Sequence, residues 1–488
     1  MAHTSKRNGP TRRQVLKTGI AAAALAGMDR VARQTAGQTP ITRRPNIVLL
    51  VTDDQRSESL GCAGNTILKT PNIDALASQG VHFKNNFTTT AICMSSRASI
   101  LTGLYLTTHG INDFGTPLPP PLFDLSYPMM LQKSGYYTGF VGKWGVGTLP
   151  TTGYDFFKGF PGQGAYFMPG TSKHLTVVQA DQAIEFLQGC PPQKPFCLAV
   201  SFKAPHVQDE GRTVPGIYPK YPYDRALDHV YENDVVPRVQ TNDITPQPSF
   251  LKTSLNGTRE APDFGPATYQ EAMKDLYRLL TGVDQAVGRI VAELKTLGVD
   301  DNTVILYTAD HGSFYGEHGF GGKWLMHEES IRTPMILFDP RAPASQRGTV
   351  CDQMTLNIDV PATVMDLAGI TAPTGMQGKS LLPLARGQQP PWRAEWFYEH
   401  HYRGGDPPII AASEGVRTTD WKYIRYIDIK PVFEQLYDLK NDPREERNLA
   451  GAATHADRLA GMRNRWKTWR TALDRHSVDQ RWVDPERK

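Results

Sequence analysis

Short apolar runs bounded by turn-forming or charged positions recur through the first two-thirds of this chain. They cover residues 47–51, 139–141, 196–202, 304–307 and 335–338, and are rich in Val, Ile, Leu and Phe. Runs this short and this continuous read as strands buried on both faces. Between them the hydrophobic period changes to that of a helix. The longest such stretch, residues 269–296, sets Met273, Leu276, Leu280, Val283, Val287, Ile290, Val291 and Leu294 at three- and four-residue steps, which predicts one long helix. Residues 74–80 read as the last turns of another, stopped at Gly80. Strands alternating with helices predict an α/β fold, a mostly parallel sheet sandwiched by helices.

The pattern breaks between His206 and Pro266, where Pro, Asp, Tyr and Asn are frequent and periodicity is weak. A loop of that length in a compact domain is usually functional, so it reads as a substrate-facing insertion. After Gly369 the chain turns Pro- and Gly-rich as far as Pro391. It then gives a strand-like run at 421–426 and an Arg-rich helical tail at 455–475. These features predict a smaller C-terminal α+β domain at 386–488, after a catalytic domain at 41–385. Residues 1–40 read as a signal segment and linker. Thr11-Arg12-Arg13-Gln14-Val15-Leu16-Lys17 is a twin-arginine pattern, followed by an apolar stretch at 20–26 and by small residues suited to cleavage. That stretch is too short for a stable membrane span. The expectation is export through the twin-arginine translocase, to the periplasm or beyond.

Composition narrows the partners. A net charge of +4 on 53 basic and 49 acidic residues is too mild to argue for nucleic acid. The cysteines are Cys62, Cys93, Cys190, Cys197 and Cys351, and an odd number in an exported protein flags one special thiol. Cys190 and Cys197 could close a small loop. No paired Cys-x-x-Cys spacing calls for zinc.

The candidate chemistry lies where the strands end. Residues 47–51 run into Asp53-Asp54, and residues 304–307 run into Asp310-His311. Ligands of parallel α/β sheets collect beyond the carboxyl ends of the strands. Either motif alone is equally well explained as a strand-to-loop turn. Together they bring three carboxylates and an imidazole to one edge, and crowded carboxylates need a cation, which points to a hard divalent metal. Two further strands lead to positive groups, one to Lys143 and the other through Lys203-Ala204-Pro205 to His206, while Lys323 precedes residues 328–334. Cations facing a nucleophile suit transfer from an anionic ester, where charge builds on oxygen. The run Cys93-Met94-Ser95-Ser96-Arg97-Ala98-Ser99-Ile100-Leu101-Thr102-Gly103 places a thiol just before a short helical stretch, where unpaired N–H groups favour an anion. Arg97 adds a permanently charged fork suited to oxyanions.

That run resembles the signature of the sulfatases, Cys or Ser-x-Pro or Ala-x-Arg with a Leu-Thr-Gly end. Further segments are similar to the family at 44–55, Gly142-Lys143-Trp144, Ala204-Pro205-His206, 308–312, Glu317-His318-Gly319, 323–334 and 436–450. The resemblance implies an alkaline-phosphatase-like fold and hydrolysis of a sulfate ester on a carbohydrate, similar to N-acetylglucosamine-6-sulfatases and iduronate sulfatases. It implies that a maturation enzyme converts Cys93 to formylglycine, the nucleophile. It also implies one calcium, with magnesium or manganese as alternatives, bound by Asp53, Asp54, Asp310 and His311 with the modified Cys93. Arg97 would steady that residue, and Lys143, His206 and Lys323 would hold the sulfate. Two positions depart from the pattern: Ser95 stands where Pro or Ala is usual, and Gly145 where the family has a histidine that helps release sulfate. His109, His174 or a water are candidates to take that role. The competing readings are a phosphomonoester or phosphonate ester hydrolase of the same superfamily, and a glycan-binding pseudosulfatase.

Overall fold

The computed structural model describes residue 1 and residues 44–475, apart from 168–169, 171, 210–219 and 239–246. The twin-arginine segment lies outside the described residues. The centre of the fold is an eight-stranded sheet. Its strands are β1 (Asn46–Thr52), β2 (Val81–Phe83), β3 (Tyr137–Lys143), β4 (Phe156–Phe160), β5 (Phe196–Ser201), β6 (Thr303–Ala309), β7 (Met335–Phe338) and β8 (Thr349–Cys351), in the spatial order β8-β2-β7-β6-β1-β5-β3-β4. β1 pairs in parallel with β5 and β6, and β3 in parallel with β4 and β5.

Successive residues of the central strands feed two different cores. Val48, Leu50, Leu198, Val200, Ile305 and Tyr307 pack on one face with α1 (Pro71–Gln79), α3 (Leu175–Gly189) and α4 (Tyr269–Thr296). Ile47, Leu49, Val51, Cys197, Ala199, Val304 and Leu306 pack on the other with α2 (Cys93–Thr102) and α5 (Asp359–Leu367). This two-sided burial is why the strands read as unbroken apolar runs. α4 has the bounds that its periodicity predicts, because its apolar stripe lies on the sheet for its whole length.

Three features differ from the sequence reading. β7 runs antiparallel to both of its neighbours, β6 and β2. After β6 the chain stays at the carboxyl edge, through a small hairpin and the short helix Glu328–Ile331. With no crossover to the far edge, it can only return antiparallel. Cys190 and Cys197 are free thiols. Cys197 points into one core while Cys190 packs against the other, so the sheet itself separates them. The stretch between His206 and Pro266 is more ordered than a loop over its described residues. It contains the helices Ser249–Lys252 and Leu255–Thr258 and buries Leu227, Leu251 and Phe264.

A second sheet is an antiparallel meander of β9 (Glu395–His400), β10 (Ser413–Thr418), β11 (Trp421–Tyr426) and β12 (Phe433–Asp438), covered by α6 (Ala456–Asp474). The indoles of Trp466 and Trp469 donate to Glu414 and Glu395, each at 2.9 Å, and fix the helix on the sheet. Trp396, Tyr423 and Leu436 share one core with Phe87, Leu325 and Met326, so the second sheet packs directly on the loop that carries Lys323.

Arg393 anchors the entry to this second sheet. Its guanidinium grips the buried Asp359 carboxylate at 2.5 and 2.6 Å, and the amides of Leu356 and Lys379 complete that carboxylate at 2.8 Å each. Arg393→Met strands a buried charge, and we expect a loss of about 3–5 kcal/mol in folding stability. A urea titration monitored by tryptophan fluorescence measures it, as a lower midpoint at unchanged slope.

Candidate active site

Strand register assembles the site. Val51 stands opposite Ser201, Thr52 opposite Ala309 and Gly142 opposite Ser201. The residues following these pairs therefore emerge side by side at the carboxyl edge. The Asp310 amide donates to the Thr52 carbonyl at 3.0 Å, and the Asp53 amide to the Ala204 carbonyl at 3.2 Å. Gly142 is required by this packing. Its φ is +102°, and a Cβ there would lie on the Ser201 carbonyl oxygen.

Cys93 is the first residue of α2, a helix buried along its whole length despite its serines and threonine. Those hydroxyls are spent on carbonyls. Ser95 donates to Ile111 O at 2.7 Å, Ser99 to Leu104 O at 2.8 Å and Thr102 to Ala98 O at 2.7 Å, while Ser96 donates to the carbonyl of Asp310. A polar helix can thus be buried without orphaned hydroxyls. Gly103 ends it in the left-handed region, its amide closing on Ser99 O at 2.8 Å. The departure at Ser95 has its physical account here, since the hydroxyl fastens the helix that carries Cys93 to the 111 loop.

The Cys93 thiol has three functional neighbours: His311 Nε2 at 3.3 Å, Asp53 Oδ1 at 3.5 Å and Lys323 Nζ at 3.5 Å. Arg97, one helical turn on, donates from Nε to Asp310 Oδ2 at 2.9 Å and from Nη1 to the Lys143 carbonyl at 3.0 Å, and its Nη2 lies 3.3 Å from Asp53 Oδ2. Lys143 reaches Asp53 Oδ2 and donates to Gln163 Oε1 at 2.6 Å. Lys323 donates to Asp54 Oδ1 at 2.7 Å. His311 Nδ1 is 3.1 Å from Asp54 Oδ1, and His206 Nε2 is 3.6 Å from Asp54 Oδ2. Apart from Gln163, which is half-buried, every one of these side chains is buried.

The electrostatics follow from burial opposed by close partners. Burial pushes the Asp53 carboxyl up, but Lys143 and the other cations outweigh it and hold the group well below the ordinary carboxylate range. Asp54 is held low in the same way, chiefly by Lys323. Burial pulls the His311 imidazole down, and Asp310 more than offsets it, so His311 ends well above its ordinary value. His206 behaves oppositely, because burial together with Lys323 draws it down to about 3. Its Nδ1 faces the Val207 carbonyl at 2.7 Å, which directs Nε2 toward the cleft.

All the residues singled out in the sequence, Asp53, Asp54, Cys93, Arg97, Lys143, His206, Asp310, His311 and Lys323, come together in this one buried cluster. Among the described residues, ligand atoms of Asp53, Cys93, Asp310 and His311 lie mutually within 4.8 Å, as do those of Asp53, Asp54 and His206. Between them the two sets offer three carboxylates, the ligands that suit a hard divalent cation. Sequence reasoning missed Ser201 and Gln163. Ser201 bonds the Lys143 carbonyl at 2.8 Å and accepts from Arg97, and no spacing marks it except its place at the end of β5. A cleft of about 220 Å³ opens above Cys93, His206 and Lys323, walled by Phe114, Trp324, Tyr402 and Ile410. Leu255 and Arg259, from the long insertion, also line it. Asn256 holds that insertion to the Lys323 loop by donating to Gly321 O at 3.2 Å.

Both candidates for the role that the resemblance gives to a histidine at position 145 are engaged elsewhere. His109 is engaged with Ser99 at 3.2 Å and the Ile111 amide at 3.0 Å. His174 caps α3, stacks on Tyr166 at 5.0 Å and meets the Pro222 carbonyl at 2.9 Å. Gly145 itself has φ +73°, and a Cβ there would sit 2.6 Å from Arg97 Cδ. The space of a side chain is taken by the arginine.

Comparison with known proteins agrees with this geometry. The sulfatase family model matches residues 45–370, and the model of the N-sulphoglucosamine sulphohydrolase C-terminal region matches residues 316–472. An N-acetylglucosamine-6-O-sulfatase of Bacteroides thetaiotaomicron is 31% identical over 476 residues, covering 85% of this chain and 84% of that protein. An arylsulfatase of Clostridium perfringens is 25% identical over 86% of this chain and 93% of its own length. A solved structure of a protein in complex with its substrate D-glucosamine-2-N,6-O-disulfate superposes with a TM-score of 0.78 at 26% identity, over 91% of this chain and all of that one. The phosphonate monoester hydrolase of Agrobacterium radiobacter shares the fold, with a TM-score of 0.75 at 23% identity over 88% of this chain and 96% of that one. With the family model spanning most of its length, this chain belongs to the sulfatase family, the sulfuric ester hydrolases.

Proposed function

We propose that this enzyme removes sulfate from a sulfated carbohydrate, with residue 93 acting as formylglycine after maturation by a modifying enzyme. The observation that carries the reading is the position of Cys93, at the amino end of a buried helix, on the floor of a cleft, with Lys323, His311 and Asp53 within 3.5 Å. When modified, residue 93 supplies a hydrated aldehyde, one hydroxyl to attack sulfur and the other to expel sulfate as the aldehyde re-forms. The carbohydrate class is supported by the relative named for N-acetylglucosamine-6-O-sulfate and by the solved glucosamine disulfate complex. Export through the twin-arginine translocase remains part of the proposal, and a relative named as an extracellular sulfatase of Drosophila melanogaster is in keeping with it. Among the described residues no helix is long and apolar enough to cross a membrane. We retain 41–385 as the catalytic part and 386–488 as the smaller C-terminal part.

Asp53, Asp54, Asp310 and His311, with residue 93, would hold a calcium ion. Bound there, it would lower the proton affinity of a coordinated hydroxyl and screen developing negative charge. Charge matching supports it. With His311 neutral, as a metal ligand must be, the three carboxylates facing Arg97, Lys143 and Lys323 are balanced by side chains alone. A divalent ion would leave the pocket positive, as an anionic ester requires. Arg97 fixes Asp310 and the end of β3, and so steadies residue 93 from one turn away. His206 and Lys323 line the cleft above it and, with Lys143 against Asp53, would hold the sulfate, and His206 or Lys323 would return a proton to the departing alcohol. With no histidine at 145, the polar side chains nearest residue 93 are His311, Asp53 and Lys323, at 3.3, 3.5 and 3.5 Å.

Three outcomes are expected. In active protein, the peptide carrying residue 93 should lack the thiol sulfur and carry a carbonyl. The same protein should release sulfate from glucosamine 6-O-sulfate faster than it cleaves aryl phosphates or phosphonates, and Cys93→Ala should release none. Full turnover by protein bearing only the unmodified thiol would overturn the mechanism. Gly145→His, which would restore the family's residue, should not help. Its Cβ meets a locked arginine from a left-handed backbone, so turnover should fall and stability drop by about 1–3 kcal/mol in urea. A gain in steady turnover would show that Arg97 can yield.

A further inference from the structure

Lys203 is a buried ammonium that the reaction as described does not use. It follows β5 in the chain and is fully buried, yet among the described residues no carboxylate stands within ion-pair distance of it. Its partners are the Val207 carbonyl, to which Nζ donates at 3.1 Å, and the ring of Tyr166, whose centroid lies 5.0 Å away. A buried charge so thinly partnered costs stability, so a purely structural role is a poor account of it. The charged groups around it are Lys143 on β3, Asp53 and Asp54 after β1, and Asp209 on its own loop. Burial, with Lys143 next, draws the ammonium down to about 8.

The Val207 carbonyl is the connection to the chemistry. The same oxygen faces His206 Nδ1 at 2.7 Å, and a carbonyl has lone pairs for both donors. The Tyr166 hydroxyl, beneath Lys203, donates to the His206 carbonyl at 2.5 Å. The imidazole is therefore held by an acceptor that is pinned from its other side by Lys203, and Nε2 is left aimed at Asp54 and the cleft. We infer that Lys203 is a positioning residue for His206, acting through the Val207 carbonyl that the two side chains share. The inference rests on the proposed placement of His206 against the sulfate ester.

Lys203→Met and Lys203→Arg test it on the matured full chain, with glucosamine 6-O-sulfate as substrate. Lys203→Met removes the charge and the donor but keeps the bulk. We expect kcat to fall about 10–100-fold, the range for groups that orient a site's first layer. KM should change little, and the melting temperature should hold or rise because an ill-paired buried charge is gone. Lys203→Arg retains a donor and should recover part of kcat. Unchanged kcat in Lys203→Met, or a kcat loss accompanied by a lower melting temperature or failure to fold, would overturn the positioning role. Wild-type protein that is matured at residue 93 yet inactive on every sulfate ester would instead overturn the functional reading on which it rests.

Discussion

Three carboxylates, buried together at the carboxyl edge of one sheet, are the constraint on which the rest of this structure turns. Asp53, Asp54 and Asp310 are there because β1 and β6 pair in register and end together. In a buried setting such a group is tolerated only when charge and hydrogen bonds are supplied from outside it. Arg97 comes from α2, Lys143 from β3 and Lys323 from the loop under the second sheet. Each element of the fold thus contributes one counter-charge. The second sheet serves the site indirectly, through the core that it shares with Leu325 and Met326 beside Lys323.

Much of this was legible in the sequence because strand ends are legible. A short apolar run followed at once by Asp-Asp, Asp-His or Lys marks both the strand and the edge to which it delivers a side chain. The bounds of α4 were readable for a related reason, as 28 residues of sustained periodicity leave little freedom in placing the ends. What escaped depends on three-dimensional neighbours. Nothing in the apolar run of β7 encodes its direction, which follows from the chain's failure to cross over after β6. The spacing of Cys190 and Cys197 hides the fact that they lie on opposite sides of the sheet. Ser201 and Gln163 act by proximity to Arg97 and Lys143, and neither residue type carries a signal of its own.

The departures from the family pattern are informative once placed. Ser95 is absorbed by a hydrogen bond that a proline or alanine could not make. Gly145 is different in kind, because its left-handed backbone and the arginine beside it close the position to any side chain. Arg97 fills the space that a side chain at 145 would need.

The buried carboxylates and their counter-charges make a cluster that could hold one divalent cation. Elemental analysis of purified, active protein, with Asp310→Asn alongside, addresses it most directly. One divalent ion per chain is expected, calcium in preference to magnesium or manganese, lost together with turnover in Asp310→Asn while the fold persists by circular dichroism. Fully active protein that contains no stoichiometric divalent ion would contradict it.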